Sequence, residues 1–244
     1  MKKVLRQAQH KVAIFDIDGT IFRSSLLIEL TDALVQEKLF SVRVREVYAR
    51  SYKNWLERQG SYENYIGDII KGFEKNIKGI KRSDFLKVAR KVIAFHHNRV
   101  YRYTRDLVKE LRKKNYYLLA ISNSPLEIVK EFCKKLGFNK VYGRVYEVSK
   151  TGTFTGKVLY ADFIADKSKI LKRAVQKEGL TLKGSVGVGD TESDIPFLKI
   201  VDKPICFNPN QNLHQYAKRA GWNTVVERKD VVYYQFTPPE KSGH

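Results

Sequence analysis

Two carboxylates, Asp16 and Asp18, follow directly on the apolar run Val12-Ala13-Ile14-Phe15 and precede Gly19-Thr20. A short β-branched and aromatic run ending in a glycine turn reads as a buried parallel strand. Open α/β sheets bind their ligands at the C-terminal ends of such strands. Charge beside a hydrophobic strand is costly, so the pair points to cation binding or to chemistry. Two plainer readings stand beside it. Asp and Gly both favour ordinary turns. Asp-x-Asp-Gly can also open a calcium loop, but that loop needs Gly at its sixth position and Glu at its twelfth. Counted from Asp16, those places hold Ile21 and Leu27, so the calcium loop fails.

Other polar groups stand at the ends of similar runs. Ser122-Asn123 follows Tyr117–Ile121, and Gly189-Asp190 follows Ser185–Val188. Lys167 opens a helical pattern over Ser168–Glu178, behind Asp166, which can cap it; a surface lysine is the ordinary reading there. Asp194 lies one helical turn beyond Asp190, and Pro196 suits the start of a helix. Strand ends in a doubly wound sheet lie along one edge, so these groups are expected to converge. The chemistry that wants such a set is phosphoryl transfer through an aspartyl phosphate. One carboxylate attacks phosphorus and a second gives and takes a proton. A hard cation binds the remaining oxygens, while hydroxyl, ammonium and backbone N–H groups spread the transition-state charge.

The elements that must hold these groups alternate. Strand patterns cover Val12–Phe15, Tyr117–Ile121, Ser185–Val188, Pro204–Phe207 and Thr224–Val226. Val141–Val148 and Phe154–Leu159 read as a hairpin. Helical patterns cover Thr104–Lys114, Pro125–Leu136 and Ser168–Glu178. Alternation of this kind implies an α/β fold with a doubly wound parallel sheet. Residues 23–100 break the rhythm and read as an inserted helical unit. Tyr48, Tyr52, Trp55, Gln59 and Tyr62 step by three and four, as the core of such a unit does. Lys71–Lys81 reads as a loop, and Phe85, Val88, Ala89, Val92 and Ile93 mark another helix. The tail Pro238–His244 is expected to be disordered.

The 244 residues are 43% hydrophobic and 30% charged, a soluble globular composition with room for a substantial core. No run approaches the ~18 apolar residues of a membrane span. Lys2, Lys3 and Arg6 are followed by Gln7, Gln9 and His10 rather than an apolar signal core, so the expected location is cytoplasmic. Cys133 and Cys206 read as buried thiols, not a disulfide framework. The formal net charge of +20 raises nucleic acid as a partner. The basic residues are dispersed, however, which favours a lysine-rich solvated surface.

Four pieces, in order, resemble the haloacid dehalogenase superfamily and its phosphoserine-phosphatase-like branch. They are Asp16-Ile17-Asp18-Gly19-Thr20, Ile121-Ser122-Asn123-Ser124-Pro125, Asp166-Lys167 before a helix, and Gly189-Asp190-Thr191-Glu192-Ser193-Asp194. The resemblance runs from about Lys11 to Tyr234. It implies a discontinuous catalytic core over 1–22 and 101–244, with 23–100 as a helical cap. It implies Asp16 as nucleophile and Asp18 as acid and then base. Mg²⁺ would be held by Asp16, the Asp18 carbonyl and Asp190. Ser122, Lys167 and the Asn123 N–H would grip the phosphoryl oxygens, and Asp194 would orient Lys167 or a metal-bound water. Phosphoserine phosphatases of this branch carry a Glu nine residues after the nucleophile. Here that place holds Ser25, which disfavours phosphoserine. His96 and His97, near the return hinge, read as hinge residues or as groups facing the substrate.

The expected function is therefore a Mg²⁺-dependent phosphatase acting on a small phosphorylated metabolite. The alternatives are a phosphotransferase using the same aspartyl phosphate, or a basic nucleic-acid-binding protein on an inherited fold.

Overall fold

The computed structural model describes residues 10–235; the tail Pro238–His244 lies outside them. β1 (Lys11–Asp16) leads into four helices, α1 (Leu26–Gln36), α2 (Val44–Leu56), α3 (Tyr62–Ile77) and α4 (Arg82–His96). Then come α5 (Arg102–Lys113), β2 (Tyr117–Pro125), α6 (Leu126–Lys134), β3 (Lys140–Val148) and β4 (Phe154–Leu159). A short α7 (Ala161–Ile164) precedes α8 (Lys167–Glu178) and β5 (Thr181–Gly189). A 3₁₀ turn at Glu192–Asp194 runs into α9 (Ile195–Leu198). The chain continues through β6 (Lys203–Phe207), α10 (Gln211–Ala220), β7 (Asn223–Arg228) and β8 (Val231–Gln235).

The strands form one sheet in the order β4-β3-β2-β1-β5-β6-β7-β8. β1 pairs parallel with both β2 and β5. The outer pairs β3–β4 and β7–β8 are antiparallel. The chain moves outward from β1 through β2 to β3, then returns to the other side of β1 as β5. That reversal opens a crevice at the C-terminal ends of β1 and β5. Side chains alternate across the central strand, as the period of two requires. Val12 and Ile14 pack with Leu171, Ala174 and Leu198 on one face. Ala13 and Phe15 join the core that runs through α1, α3, α4 and α6 on the other. With helices on both faces, the fold is the doubly wound α/β class expected.

Three details differ from the sequence reading. Lys71–Lys81 is not a loop throughout, because Lys71–Ile77 completes α3. Ile69, Phe73 and Ile77 recur every fourth residue and are buried, and that spacing outweighs the lysines and Gly72. A Cβ on Gly72 would stand 3.0 Å from Val44 Cγ2, so the glycine permits a close helix contact. The aromatic stripe is also divided. Tyr48, Tyr52 and Trp55 lie on α2, Tyr62 opens α3, and Gln59-Gly60 falls in the loop between. Only part of it is core: Tyr48 is buried, Trp55 and Tyr62 are half-buried, with Trp55 stacked on Tyr65 at 5.5 Å, and Tyr52 is exposed. Finally, the helix α10 and the edge strand β8 lie beyond the elements read from the sequence. Cys133 and Cys206 are buried and free. Among the described residues, no helix is long and apolar enough to cross a membrane.

Candidate active site

Asp16 is the last residue of β1 and is 5% exposed. Its Oδ1 accepts from Lys167 Nζ at 2.6 Å, and the same ammonium donates to Asp194 Oδ1 at 2.5 Å. Lys167 is the first residue of α8, where the helix dipole disfavours a cation. Asp166 caps that helix through Ser168 N–H at 2.9 Å, and the two buried carboxylates stabilise the ammonium. Burial opposes the charge on Lys167, yet Asp16 and Asp194 outweigh it and hold its proton above the ordinary lysine range.

Asp194 is fixed by the local turn. Its Oδ2 accepts the N–H groups of Asp190 at 2.9 Å and Thr191 at 3.2 Å. Thr191 and Asp194 form a reciprocal capping box. Gly189 makes room for it, since a Cβ there would come within 2.5 Å of Asp194. Asp190 sits one residue past β5 and accepts from Thr20 Oγ1 at 3.2 Å. Gly19 lies beneath Asp190 at φ +80°, and a Cβ there would meet Asp190 Oδ2 at 2.1 Å. Both its conformation and the close approach require glycine.

Asp18 is held by three donors. Ser122 and Ser124 hydroxyls donate to Oδ2 at 2.5 and 2.9 Å, and Leu26 N–H donates to Oδ1 at 2.5 Å. Ser124 also accepts from Leu27 N–H at 3.1 Å. The N-cap residue of α1, Ser25, makes no side-chain cap bond. The orphan N–H groups of that helix end are therefore satisfied by Asp18 and Ser124.

The structure thus brings Asp16, Asp18, Ser122, Lys167, Asp190 and Asp194 together. Asn123 lines the same cavity, of about 310 Å³, as does Ser25. Ser122 is fully buried with its hydroxyl on Asp18. His96 and His97 are placed elsewhere. His96 Nε2 lies 3.2 Å from Glu29, and His97 Nδ1 meets the Ala94 carbonyl at 2.9 Å. Sequence reasoning missed Ser124, which lay inside a recognised motif. It also missed Tyr62, Ile66, Gly67 and Ile70, which wall the cavity from α3.

Four carboxylates surround one ammonium here. Oδ2 of Asp16 is buried and accepts no hydrogen bond from any described residue. Carboxylate oxygens of Asp16, Asp190 and Asp194 lie within 4.8 Å of one another. Burial raises Asp16 to about 8, against the pull of Lys167 and with the push of Asp194 and Asp18. Burial also raises Asp190, reinforced by Asp16 and Asp194. Burial raises Asp18 too, with the Ser122, Leu26 and Ser124 bonds opposing. An excess of buried negative charge with an orphan oxygen fits a bound divalent cation.

The model of the haloacid dehalogenase-like hydrolase family matches residues 13–199. A Streptomyces azureus protein named for inhibition of morphological differentiation is 23% identical, over 93% of this chain and 82% of its own. A phosphoserine phosphatase of Mycobacterium tuberculosis is 24% identical, over 86% of this chain and 68% of its own. A histidinol-phosphatase of Neisseria meningitidis is 24% identical, over 86% and 96%. Among solved structures, a Bordetella pertussis protein of unknown function aligns with a TM-score of 0.72 at 15% identity, covering 89% of this chain and 98% of that one. The phospho-aspartyl intermediate analogue of a phosphoserine phosphatase aligns at 0.60 and 20% identity, covering 91% and 96%. These structures share the fold. With the match spanning most of its length, the chain belongs to the haloacid dehalogenase-like hydrolases.

Proposed function

We propose that this chain is a Mg²⁺-dependent phosphatase that hydrolyses a small phosphomonoester through an aspartyl phosphate on Asp16. Phosphoric monoester hydrolysis is the reaction class of the family branch it resembles. The observation that carries the reading is the environment of Asp16: one oxygen is held by Lys167, the other is buried without a partner, and the carboxyl clusters with those of Asp190 and Asp194.

Asp16, Asp190 and the Asp18 backbone carbonyl would hold Mg²⁺, which supplies positive charge to the phosphoryl oxygens when bound. Asp16 attacks phosphorus and the ester oxygen leaves. Asp18, aimed by Ser122, Ser124 and the α1 N-terminus, gives that oxygen its proton. Asp18 then takes a proton from the water that cleaves the acyl phosphate. Lys167 faces the phosphoryl group with a charge fixed by Asp16 and Asp194, and Asn123 borders the same space. Asp194 positions Lys167. The helical insert over 23–100 acts as a cap, with α3 closing the cavity. Phosphoserine, the substrate in several relatives' names, is disfavoured because Ser25 stands where those enzymes carry a carboxylate.

The test is hydrolysis of 4-nitrophenyl phosphate by the purified protein. Turnover with Mg²⁺ that EDTA abolishes is the expected result. Full activity in EDTA would remove the metal assignment, and inactivity on every phosphoester would remove the phosphatase.

A further inference from the structure

The wall that would face a leaving group is apolar and carries no free cation. Leu27 comes from α1, and Tyr62, Ile66, Gly67 and Ile70 come from α3. Lys167 is the one cation among the lining residues, and its ammonium is already shared by Asp16 and Asp194. A second anion on the substrate, such as the carboxylate of phosphoserine, meets no counter-charge there. The two outer acids are engaged as well. Glu63 and Glu192 both accept from Asn210, and Glu192 also accepts from Asn212. Glu63 is exposed and Glu192 half-buried, so an ammonium group on the substrate would meet carboxylates that water already screens, where an ion pair contributes little.

Gly67 is an independent observation. Glycine inside a helix costs about 1 kcal/mol relative to alanine, and packing usually accounts for it. Gly72 on the same helix is such a case, against Val44 at 3.0 Å. At Gly67 a Cβ would meet nothing within 4 Å. Its backbone is not among the positive-φ glycines. Neither packing nor conformation requires glycine there. What the missing side chain leaves is open volume in the cavity wall.

We infer that the leaving group is an uncharged, apolar alcohol, alkyl or aryl, whose body lies over Gly67 against Leu27, Tyr62, Ile66 and Ile70. This rests on the phosphatase reading and adds to it the class of substrate. A small neutral side chain at Ser25, 3% exposed, is consistent with a leaving group that bears no ammonium. The apolar wall then contributes affinity through area removed from water.

The test compares kcat/KM in Mg²⁺ for hexyl phosphate, glycerol 1-phosphate, phosphoserine and phosphoethanolamine. All are phosphates of primary alcohols, so leaving-group chemistry is similar. Hexyl phosphate is expected to exceed each of the others by about tenfold or more, the scale of burying a few methylene groups. A Gly67→Leu variant fills the open volume with a better helix former. In it, the ratio of kcat/KM for hexyl phosphate to that for methyl phosphate is expected to fall by about tenfold or more, with circular dichroism confirming the fold. Phosphoserine or phosphoethanolamine matching hexyl phosphate would overturn the inference. So would a Gly67→Leu variant whose ratio is unchanged. If either happens while 4-nitrophenyl phosphate is still hydrolysed in Mg²⁺, the phosphatase reading stands and the substrate class falls. If no monoester is hydrolysed, both fall.

Discussion

The floor of the cavity gathers charged groups from the ends of β1, β2 and β5 and the start of α8, whereas its apolar wall comes mostly from α3. Floor groups brace one another through short bonds. Lys167 joins Asp16 to Asp194, Asp194 holds the Asp190 backbone, and Ser122 and Ser124 hold Asp18. Wall groups present apolar side chains and one glycine. The difference separates two tasks. A braced floor sets the reaction and should act on every ester alike. A wall of dispersion contacts should discriminate among esters and leave the chemistry intact.

The comparison breaks most sharply at Asp16. Asp16→Asn replaces the proposed nucleophilic carboxylate with an uncharged amide and is expected to lower kcat by about a thousandfold or more for every ester, while the fold remains. Steady-state kinetics on two unlike esters checks this. Retention of turnover on either would place the nucleophile elsewhere. Lys167→Ala should follow. Loss of its charge costs roughly 2–4 kcal/mol of transition-state stabilisation, on the order of a hundredfold or more in rate. It also leaves Asp16 and Asp194 buried and unpaired, so thermal stability should drop as well. Activity within about threefold of wild type would show that Lys167 serves structure alone.

Ser124→Ala is a smaller test of the same bracing. Its hydroxyl links Asp18 to the N-terminus of α1. A hydrogen bond to a charged group is worth about 1.5–3 kcal/mol, so kcat should fall by about tenfold or more. The pH profile should shift with it, because one donor to Asp18 is gone, and that shift separates positioning from mere packing. The remaining effect is on stability rather than on rate. With metal removed, Asp16 is raised from 3.8 to about 8, so the folded state keeps a proton that the unfolded chain releases. That contribution is complete below about 3.8 and is lost as pH rises through about 8. The melting temperature in chelator should fall from pH 5 to pH 8, and Mg²⁺ should restore more stability at pH 8 than at pH 5. An equal Mg²⁺ effect at both would contradict the charge excess on the floor.

The floor was legible in the sequence because each of its groups follows a short apolar run or opens a helix. Strand ends converge wherever a sheet is doubly wound, so Asp16, Ser122 and Asp190 could be placed together without coordinates. Asp166-Lys167 was legible through its capping position. The wall was not legible. Tyr62 and Ile66 fit the pattern of a helix core, and nothing in a three-and-four spacing says which flank of α3 turns towards β1. Lysines in Lys71–Lys81 disguised the last turns of that helix, whose buried residues are Gly72, Phe73 and Ile77. Ser124 stood in a recognised motif, but its role depends on the end of α1, which the sequence does not bring beside it. The surplus of positive charge was visible in the composition, and in the structure lysines and arginines pair with acids at many separate points.

The central claim is that Asp16 carries the phosphoryl group. The direct measurement is a single turnover of 4-nitrophenyl phosphate in Mg²⁺, stopped with borohydride, which reduces an acyl phosphate to the alcohol. Peptide mass spectrometry then locates the reduced residue. The account predicts homoserine at position 16 and none in the Asp16→Asn variant. Turnover with no reduction at position 16, or with the phosphoryl group trapped on another residue, would contradict it.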